Sequence, residues 1–268
     1  MASRTKQKEE ARARRLAEER ARAEREARRR RVRILGGIVV IAIAIVAVAI
    51  AISSSGGSSN PSQSLGSAEA QTTAASVNHS LSGIPQSGNR IGSPSAKVTV
   101  TEYGDLECPI CKDFALGVET QLINHDVRSG KVQLAYRSLE TATGGAPDGA
   151  TIFPVQQTAA LAAGEQGFGW NYILLFYHLQ GSEGTNYVNT AYLEGLAKLI
   201  PGLNFAQWSS ARTSSNLTAQ VAADEQAAAA KGFNSTPTIV VQGPKGQAQP
   251  IVGATDYGSL ESVINSVS

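Results

Sequence analysis

The feature that most constrains this chain is an uninterrupted apolar segment, residues 34–52, which contains no polar or charged side chain. As a helix rising ~1.5 Å per residue, a segment of this length just crosses a hydrocarbon core of roughly 30 Å. A cleaved signal peptide usually has a shorter apolar stretch and a shorter basic front. We therefore predict one uncleaved transmembrane signal anchor, which separates two chemically different parts of the chain.

The parts on the two sides of this segment carry opposite charge. Residues 1–33 contain fourteen Lys and Arg against six Asp and Glu, whereas residues 53–268 contain ten against sixteen. Because basic flanks stay in the cytoplasm, we expect a cytoplasmic N-terminus and an extracytoplasmic body at the cell membrane. The basic segment is expected to lie as a charged helix against the lipid bilayer, with recruitment of a cytoplasmic or nucleic-acid partner as the alternative. The acidic body argues against nucleic-acid binding there.

The pattern beyond the anchor predicts a flexible linker rich in Ser, Gly and Ala at residues 53–82 and one domain at residues 83–268. The domain begins with a strand, a helix and a second strand. A helical block at about 150–232 follows, and a hairpin and a closing helix complete the chain. This order predicts an α/β or α+β arrangement with helices packed on a small sheet.

Both cysteines of the chain lie in one motif, Cys108-Pro109-Ile110-Cys111, between a predicted strand and a predicted helix. Peptide N–H groups at a helix start stabilise a thiolate and lower its pKa, and Pro109 is tolerated there because the first helical N–H groups lack partners. The spacing brings both sulfurs onto one helical turn. We predict that Cys108 is an exposed nucleophile and that Cys111, on the apolar stripe of the helix, is the buried resolving thiol.

Three other interpretations of this motif carry less weight. A zinc site would need a second pair of ligands, and the three histidines are scattered at positions 79, 125 and 178. A purely structural disulfide across so short a loop removes little chain entropy, and two free core thiols are unusual in an exported protein. We therefore expect no metal, and no cofactor other than the redox-active cysteine pair itself.

A second candidate element is Thr236-Pro237, which immediately precedes the predicted strand of residues 239–241. A proline that opens a strand after turn residues is a candidate for a cis peptide bond, although an ordinary trans bond is the more frequent state of such a proline. If this loop lies beside the cysteines, its backbone can pair with an extended substrate.

These residues together resemble the DsbA-like thiol–disulfide oxidoreductases of the thioredoxin superfamily, in their membrane-anchored bacterial form. The resemblance covers residues 83–268. The segments that carry it are Gly83–Gln86, Gly88–Gly92, Val98–Tyr103, Asp105–Cys111 with Phe114, Ala159–Trp170 and Gly232–Thr238. It implies a thioredoxin-like α/β fold with an inserted helical subdomain, Cys108 and Cys111 as the redox pair, and Thr236-Pro237 as a cis-proline loop.

The resemblance also implies partners and one supporting acid. The partners are exported cysteine-containing proteins and a quinone-linked membrane reoxidant of the DsbB or vitamin K epoxide reductase type. Glu102 occupies the position where the family often places a buried acid, which would take the proton of Cys111 when that thiol attacks a mixed disulfide. The alternative for Glu102 is a solvent-facing position on an edge strand. The charges of Asp105 and Glu107 are expected to oppose thiolate formation at Cys108.

The sequence departs from the most oxidising members of this family at two positions. Ile110 stands where they commonly carry a histidine that stabilises the thiolate, and Thr236 precedes the proline as in many reducing or isomerising relatives. The favoured function is a membrane-tethered oxidase that introduces disulfides into exported proteins. A reductase or isomerase with the same site, and a redox-inert binding module, are the alternatives.

Overall fold

The computed structural model describes residues 65–268. The predicted basic segment, the predicted membrane anchor and the first part of the predicted linker lie outside the described residues. Within residues 65–268, none of the helices is both long enough and apolar enough to cross a membrane.

The described part alternates short strands with helices in chain order. The strands are β1 Gln86–Ser87, β2 Arg90–Ile91, β3 Val98–Gly104, β4 Val132–Ser138, β5 Thr238–Gly243, β6 Gly246–Gln247 and β7 Ile251–Val252. The helices are α1 Ala68–Leu81, α2 Pro109–Phe114, α3 Thr120–Leu122, α4 Gly149–Gly164, α5 Gly169–His178, α6 Thr190–Lys198, α7 Phe205–Ala211, α8 Ser215–Ala230 and α9 Tyr257–Val267. Two π-helical turns, Ala115–Glu119 and Ile123–Val127, extend α2 and α3 into one longer helical segment.

The strands form one sheet in the order β1-β2-β4-β3-β5-β6, with β7 also paired to β5. Strands β3 and β4 run parallel, and β5 runs antiparallel to β3 on its other side. Strand β3 is therefore internal, and its β-branched residues fit a strand that is covered on both faces. The predicted final hairpin is confirmed by the antiparallel pairing of β5 with β6 and β7.

Alternation along β3 directs Val98, Val100 and Glu102 into the main core, whereas Tyr103 packs on the other face. The extended helical segment that follows the cysteine motif belongs to the same core as Val98 and Val100. The carboxyl end of β3 therefore delivers the chain directly to the start of α2, where the cysteines lie.

The predicted helical insertion is confirmed, since five helices, α4 to α8, lie between β4 and β5. Helix α5 is almost entirely buried, and its aromatic residues join the main core together with Trp208 of α7. The indole N–H of Trp208 donates to the backbone oxygen of Ala159 at 2.8 Å, which joins α7 to α4. The architecture is thus an α/β sheet carrying an inserted helical subdomain.

The predicted extent of the flexible linker is wrong at its C-terminal end, because residues 68–81 form helix α1. The Ser67 hydroxyl caps the helix by accepting from Ala70 N, and Ala70, Ala74, Val77 and Leu81 make a buried stripe. This segment is composed largely of small residues, so its few large apolar side chains gave only a weak helical signal. Helix α1 packs on α5, which means that the folded unit begins well before Gly83.

Candidate active site

The Cys108 side chain caps the N-terminus of helix α2. Its sulfur accepts the backbone N–H of Cys111 at 3.4 Å, and Pro109 occupies the first turn as predicted. The carbonyl of Cys108 and that of Leu106 both accept from the Gln180 side-chain amide, at 3.2 and 2.8 Å, which holds the loop in front of the helix. The motif is therefore fixed at a helix start, where partial positive charge favours a thiolate.

The two thiols are not bonded to each other in the structure and differ sharply in acidity. Hydrogen bonding from the Cys111 side chain, and then from that of Thr236, lowers the pKa of Cys108 from 9.0 to about 6 against the opposing effect of burial. Burial raises the pKa of Cys111 well above its ordinary value. At neutral pH the reduced pair thus holds a thiolate at Cys108 and a thiol at Cys111.

The prediction that Cys108 is exposed is wrong, because only 5% of this residue is accessible. The Thr236 carbonyl covers its sulfur, accepting from the thiol at 3.6 Å. By contrast Ile110 is 42% exposed, so the motif presents an apolar side chain to solvent beside a recessed sulfur. The sulfur is therefore recessed beneath the loop that contains Thr236.

The Thr236–Pro237 peptide bond is cis, and this loop lies against the cysteines. The Thr236 hydroxyl also contacts the hydroxyl of Thr141, 2.5 Å away, on the segment after β4. Sequence reasoning missed Thr141, because only the fold brings this segment beside the proline loop. Next to the loop, Val252 of β7 is 60% exposed and pairs with Thr238.

Glu102 is fully buried on the internal strand β3, so its placement on an open edge strand is excluded. Its neighbours in the sheet are Tyr136 on β4 and Ile239 on β5. Burial raises the pKa of Glu102 to about 8, and the charge of Cys108 adds to this effect. The absence of a Cβ at Gly104 makes room here, since a methyl group there would lie 2.7 Å from the Tyr136 ring.

A second buried acid, Glu119, was missed by the sequence analysis. It lies at the end of the first π-helical turn and is fully buried, whereas its apolar neighbour Val118 is only half-buried. Cys111, Ala115 and Glu119 are spaced by four residues and share the buried face of the helical segment. The widened turn therefore places a carboxyl group in the core on the side where Cys111 lies.

Neither Asp105 nor Glu107 is among the leading causes of the Cys108 pKa shift, so the expected opposition to thiolate formation is not a main influence on this thiol. The buried Asp105 carboxylate instead accepts the backbone N–H groups of Glu107, Thr141 and Thr143 at 2.9–3.0 Å. It thereby ties the segment after β4 to the loop before α2. Burial, followed by the charge of Asp105, raises the pKa of Glu107 to about 7.

The structure thus brings Cys108, Cys111, Glu102 and the Thr236-Pro237 loop into one site, with Pro109 and Ile110 at its surface. Within residues 65–268, no three His, Cys, Asp or Glu side chains converge in a way that could hold a metal ion. The chemistry that these groups can perform is thiol–disulfide exchange, with a stabilised thiolate, a buried thiol and a buried acid beside them.

Comparison with known proteins places this site in a family. The family model described as thioredoxin matches residues 86–256. Among solved structures, BdbD from Bacillus subtilis in its oxidised form is 20% identical and superimposes with a TM-score of 0.56 over 68% of this chain and 97% of that chain. No curated protein matches the sequence.

Two further solved structures show the same fold. DsbA2 of Pseudomonas aeruginosa is 24% identical, with a TM-score of 0.52 over 69% of this chain and 97% of that chain. DsbA of Chlamydia trachomatis is 20% identical, with a TM-score of 0.54 over 66% and 90%. The chain therefore belongs to the thioredoxin family, and its fold is that of the DsbA-like thiol–disulfide oxidoreductases.

Proposed function

We propose that this protein is a membrane-tethered, extracytoplasmic dithiol oxidase that introduces disulfides into exported proteins. The observation that carries the proposal is the position of the Cys108 sulfur, which caps α2 and is stabilised as a thiolate by Cys111 and Thr236. A stabilised thiolate favours the reduced form of the pair, so the Cys108–Cys111 disulfide tends to accept electrons from a substrate dithiol.

The reaction begins when a substrate thiolate attacks the Cys108 sulfur of the disulfide. The bond to Cys111 breaks, and the Cys111 sulfur leaves as a thiolate whose high pKa requires a proton. Glu102, with a pKa of about 8, is largely protonated at neutral pH and is suited to supply that proton. In the reverse direction the Glu102 carboxylate takes the proton back when Cys111 attacks a mixed disulfide.

In the second step the substrate's other thiolate attacks its own sulfur in the mixed disulfide and displaces Cys108. The substrate disulfide forms, and Cys108 leaves as its stabilised thiolate. The substrate has lost two electrons, and the cysteine pair has gained them. The exposed Ile110 and Val252 flank the route to the recessed sulfur, which suits an extended polypeptide with apolar side chains.

Regeneration of the disulfide requires an oxidant, for which we propose a quinone-linked membrane protein of the DsbB or vitamin K epoxide reductase type.

The apolar residues 34–52 and the basic residues 1–33 support the proposed anchoring and orientation. Protease treatment of intact cells or spheroplasts tests this topology. The folded domain should be digested from outside, whereas digestion only after lysis would contradict it.

The second candidate is a reductase or isomerase that uses the same site in the opposite direction. It is favoured by the pKa of Cys108, about 6, which lies closer to the thioredoxin value of about 7 than to the DsbA value of about 3.5. The side chain of Ile110 agrees with this, because it carries no positive charge that would stabilise the thiolate.

The reduction potential of the Cys108–Cys111 pair separates the two directions. It is measured in the full chain by equilibration with glutathione buffers. A reduction potential near roughly −120 mV, the value of the strong oxidant DsbA, supports the oxidase. A reduction potential near roughly −270 mV, the value of thioredoxin, supports the reductase. In cells, Cys108→Ser should reduce disulfide formation in exported proteins, and unchanged cysteine pairing would contradict the oxidase.

A further inference from the structure

The Glu119 side chain is a buried acid that the exchange reaction described above does not use. Both Glu102 and Glu119 are fully inaccessible, and within residues 65–268 none of their four carboxyl oxygens accepts a backbone, hydroxyl or amide hydrogen bond. No Lys, Arg or His of this described part forms an ion pair with either of them. Two isolated carboxylates so placed cannot both be ionised, because burial without a cation strongly disfavours the charge.

The two acids lie on elements that line the same core, β3 through Val98 and Val100 and the first π-helical turn through Ala115. Glu102 points from β3 into the main core, and Glu119 points from the π-helical turn on the same helical face as Cys111. The two carboxyl groups are side-chain hydrogen-bond partners, and a charge on Glu102 disfavours the ionisation of Glu119. The pair can therefore share one proton, as neighbouring carboxyl groups do in other proteins.

The other ionisable groups around this pair are neutral near pH 7, apart from Cys108. Cys111 of α2 keeps its proton, and burial raises the pKa of Tyr136 on β4 and of Tyr177 on α5 well above their ordinary values. The Tyr136 hydroxyl, like the carboxyl oxygens, is inaccessible and has no partner within the described residues. A negative charge on Glu102 thus has no cation beside it, and the donors within its reach are the Glu119 carboxyl group and the Cys111 thiol.

We propose that Glu119 is a positioning residue: it stays protonated and donates its O–H to the Glu102 carboxylate, which allows Glu102 to carry a negative charge beside Cys111. The directions of the pKa shifts agree with this order of ionisation. Burial and the charge of Glu102 raise the pKa of Glu119, whereas hydrogen bonding with Glu119 opposes the effect of burial on Glu102. The consequence for exchange rests on the proposed function; the protonation states themselves do not.

Two substitutions in the full chain test this role. Glu119→Gln keeps an N–H donor of similar shape but cannot ionise, whereas Glu119→Leu removes the donor. The ionisation of Glu102 is followed by carbon-13 NMR of labelled glutamate carboxyl groups, with Glu102→Gln to assign the signal. We expect the Glu102 midpoint to stay within about half a unit in Glu119→Gln and to rise by about one unit or more in Glu119→Leu, the worth of one hydrogen bond to a charged group.

The same variants predict a kinetic effect. Cys111 releases a small thiol when it attacks a mixed disulfide at Cys108. In Glu119→Leu the rate of this release near pH 7 should fall about tenfold for each unit by which the pKa of Glu102 rises. In Glu119→Gln the rate should stay close to that of the unsubstituted protein. Unchanged Glu102 titration in Glu119→Leu would show that Glu119 only fills space. Equal defects in both variants would show that its own charge matters, which also overturns the proposal.

A measurement on the unsubstituted protein covers the case in which a variant does not fold. The Glu119 carboxyl signal should remain that of the protonated acid from pH 5 to 8, whereas ionisation of Glu119 before Glu102 would overturn the proposal. These titrations are independent of substrate and of the direction of electron flow. Failure of the oxidase function would leave them intact, so the two proposals fail separately.

Discussion

The hydroxyl oxygens of Thr141 and Thr236 lie 2.5 Å apart, although 95 positions separate these residues in the chain. The backbone N–H of Thr141 is held by Asp105, and the Thr236 side chain helps to stabilise the Cys108 thiolate. The contact therefore connects the segment after β4 to the redox sulfur through one hydroxyl group.

This contact predicts how the acidity of Cys108 responds to loss of each hydroxyl. Thr236→Val should raise the pKa of Cys108 by about one unit, because one hydrogen bond to a charged group is lost. Thr141→Val should raise it by less, since the Thr236 hydroxyl remains but loses its own partner. The pH dependence of Cys108 alkylation measures both, with Thr213→Val on an exposed turn as the control. A pKa that stays near 6 in Thr236→Val would contradict this account.

Removal of the Asp105 carboxylate should greatly lower the free energy of unfolding. Asp105→Ala leaves the backbone N–H groups of Glu107, Thr141 and Thr143 without their acceptor, and two of these residues are buried. We expect a loss of about 3 kcal/mol in the free energy of unfolding, since each unsatisfied buried donor costs roughly 1–3 kcal/mol. Urea unfolding measures this. Asp113→Ala, at an exposed position of α2, should change stability by less than about 0.5 kcal/mol; equal effects of the two substitutions would argue against the anchoring role of Asp105.

Replacement of Glu107 by a residue that cannot ionise should raise the free energy of unfolding in a pH-dependent way. Its pKa rises from 4.5 to about 7 on folding, so the stability it contributes is present below pH 4.5 and is lost as the pH rises through 7. Glu107→Gln should thus gain about 1–2 kcal/mol relative to the parent between pH 4.5 and 8, a value reduced from the full shift for solvent screening. Chemical unfolding at several pH values measures the difference. Glu165→Gln, at an exposed position, should show no such trend, and a pH-independent difference for Glu107→Gln would contradict the assignment.

Helix α1 predicts where the folded unit can be shortened. A chain starting at Leu65 should be more stable than one starting at Gly83 by about 3 kcal/mol or more, because the latter loses the buried Val77 and Leu81, each worth roughly 1.5–3 kcal/mol. It also loses the Ser80 and Ser82 carbonyl groups that accept from the Arg128 guanidinium. Thermal unfolding of both chains decides this. Equal stability of the two chains would mean that α1 does not contribute to the stability of the folded unit.

The elements with strong local signals were predictable from the sequence. The β-branched run of β3, the proline at the first turn of α2 and the cysteine spacing each depend on neighbours within a few residues. The Ala-rich insertion and the final hairpin followed from hydrophobic periodicity and turn residues. Helix α1 was missed because small residues produce a weak periodic pattern, although tertiary packing makes it a buried helix.

The sequence by itself determined the local chemistry. It places a cysteine pair at a helix start, an acid six residues before the first of these cysteines, and a proline loop before a strand. Only the tertiary structure decided which groups meet. In the folded chain Cys108 lies beneath the Thr236 carbonyl, and the Asp105 carboxylate accepts the backbone N–H of Thr141. Glu119 and Glu102 are both buried in the core. These outcomes depend on contacts between residues distant in the chain and on the loss of water around them, because burial sets the ionisation of each group and no local pattern records it.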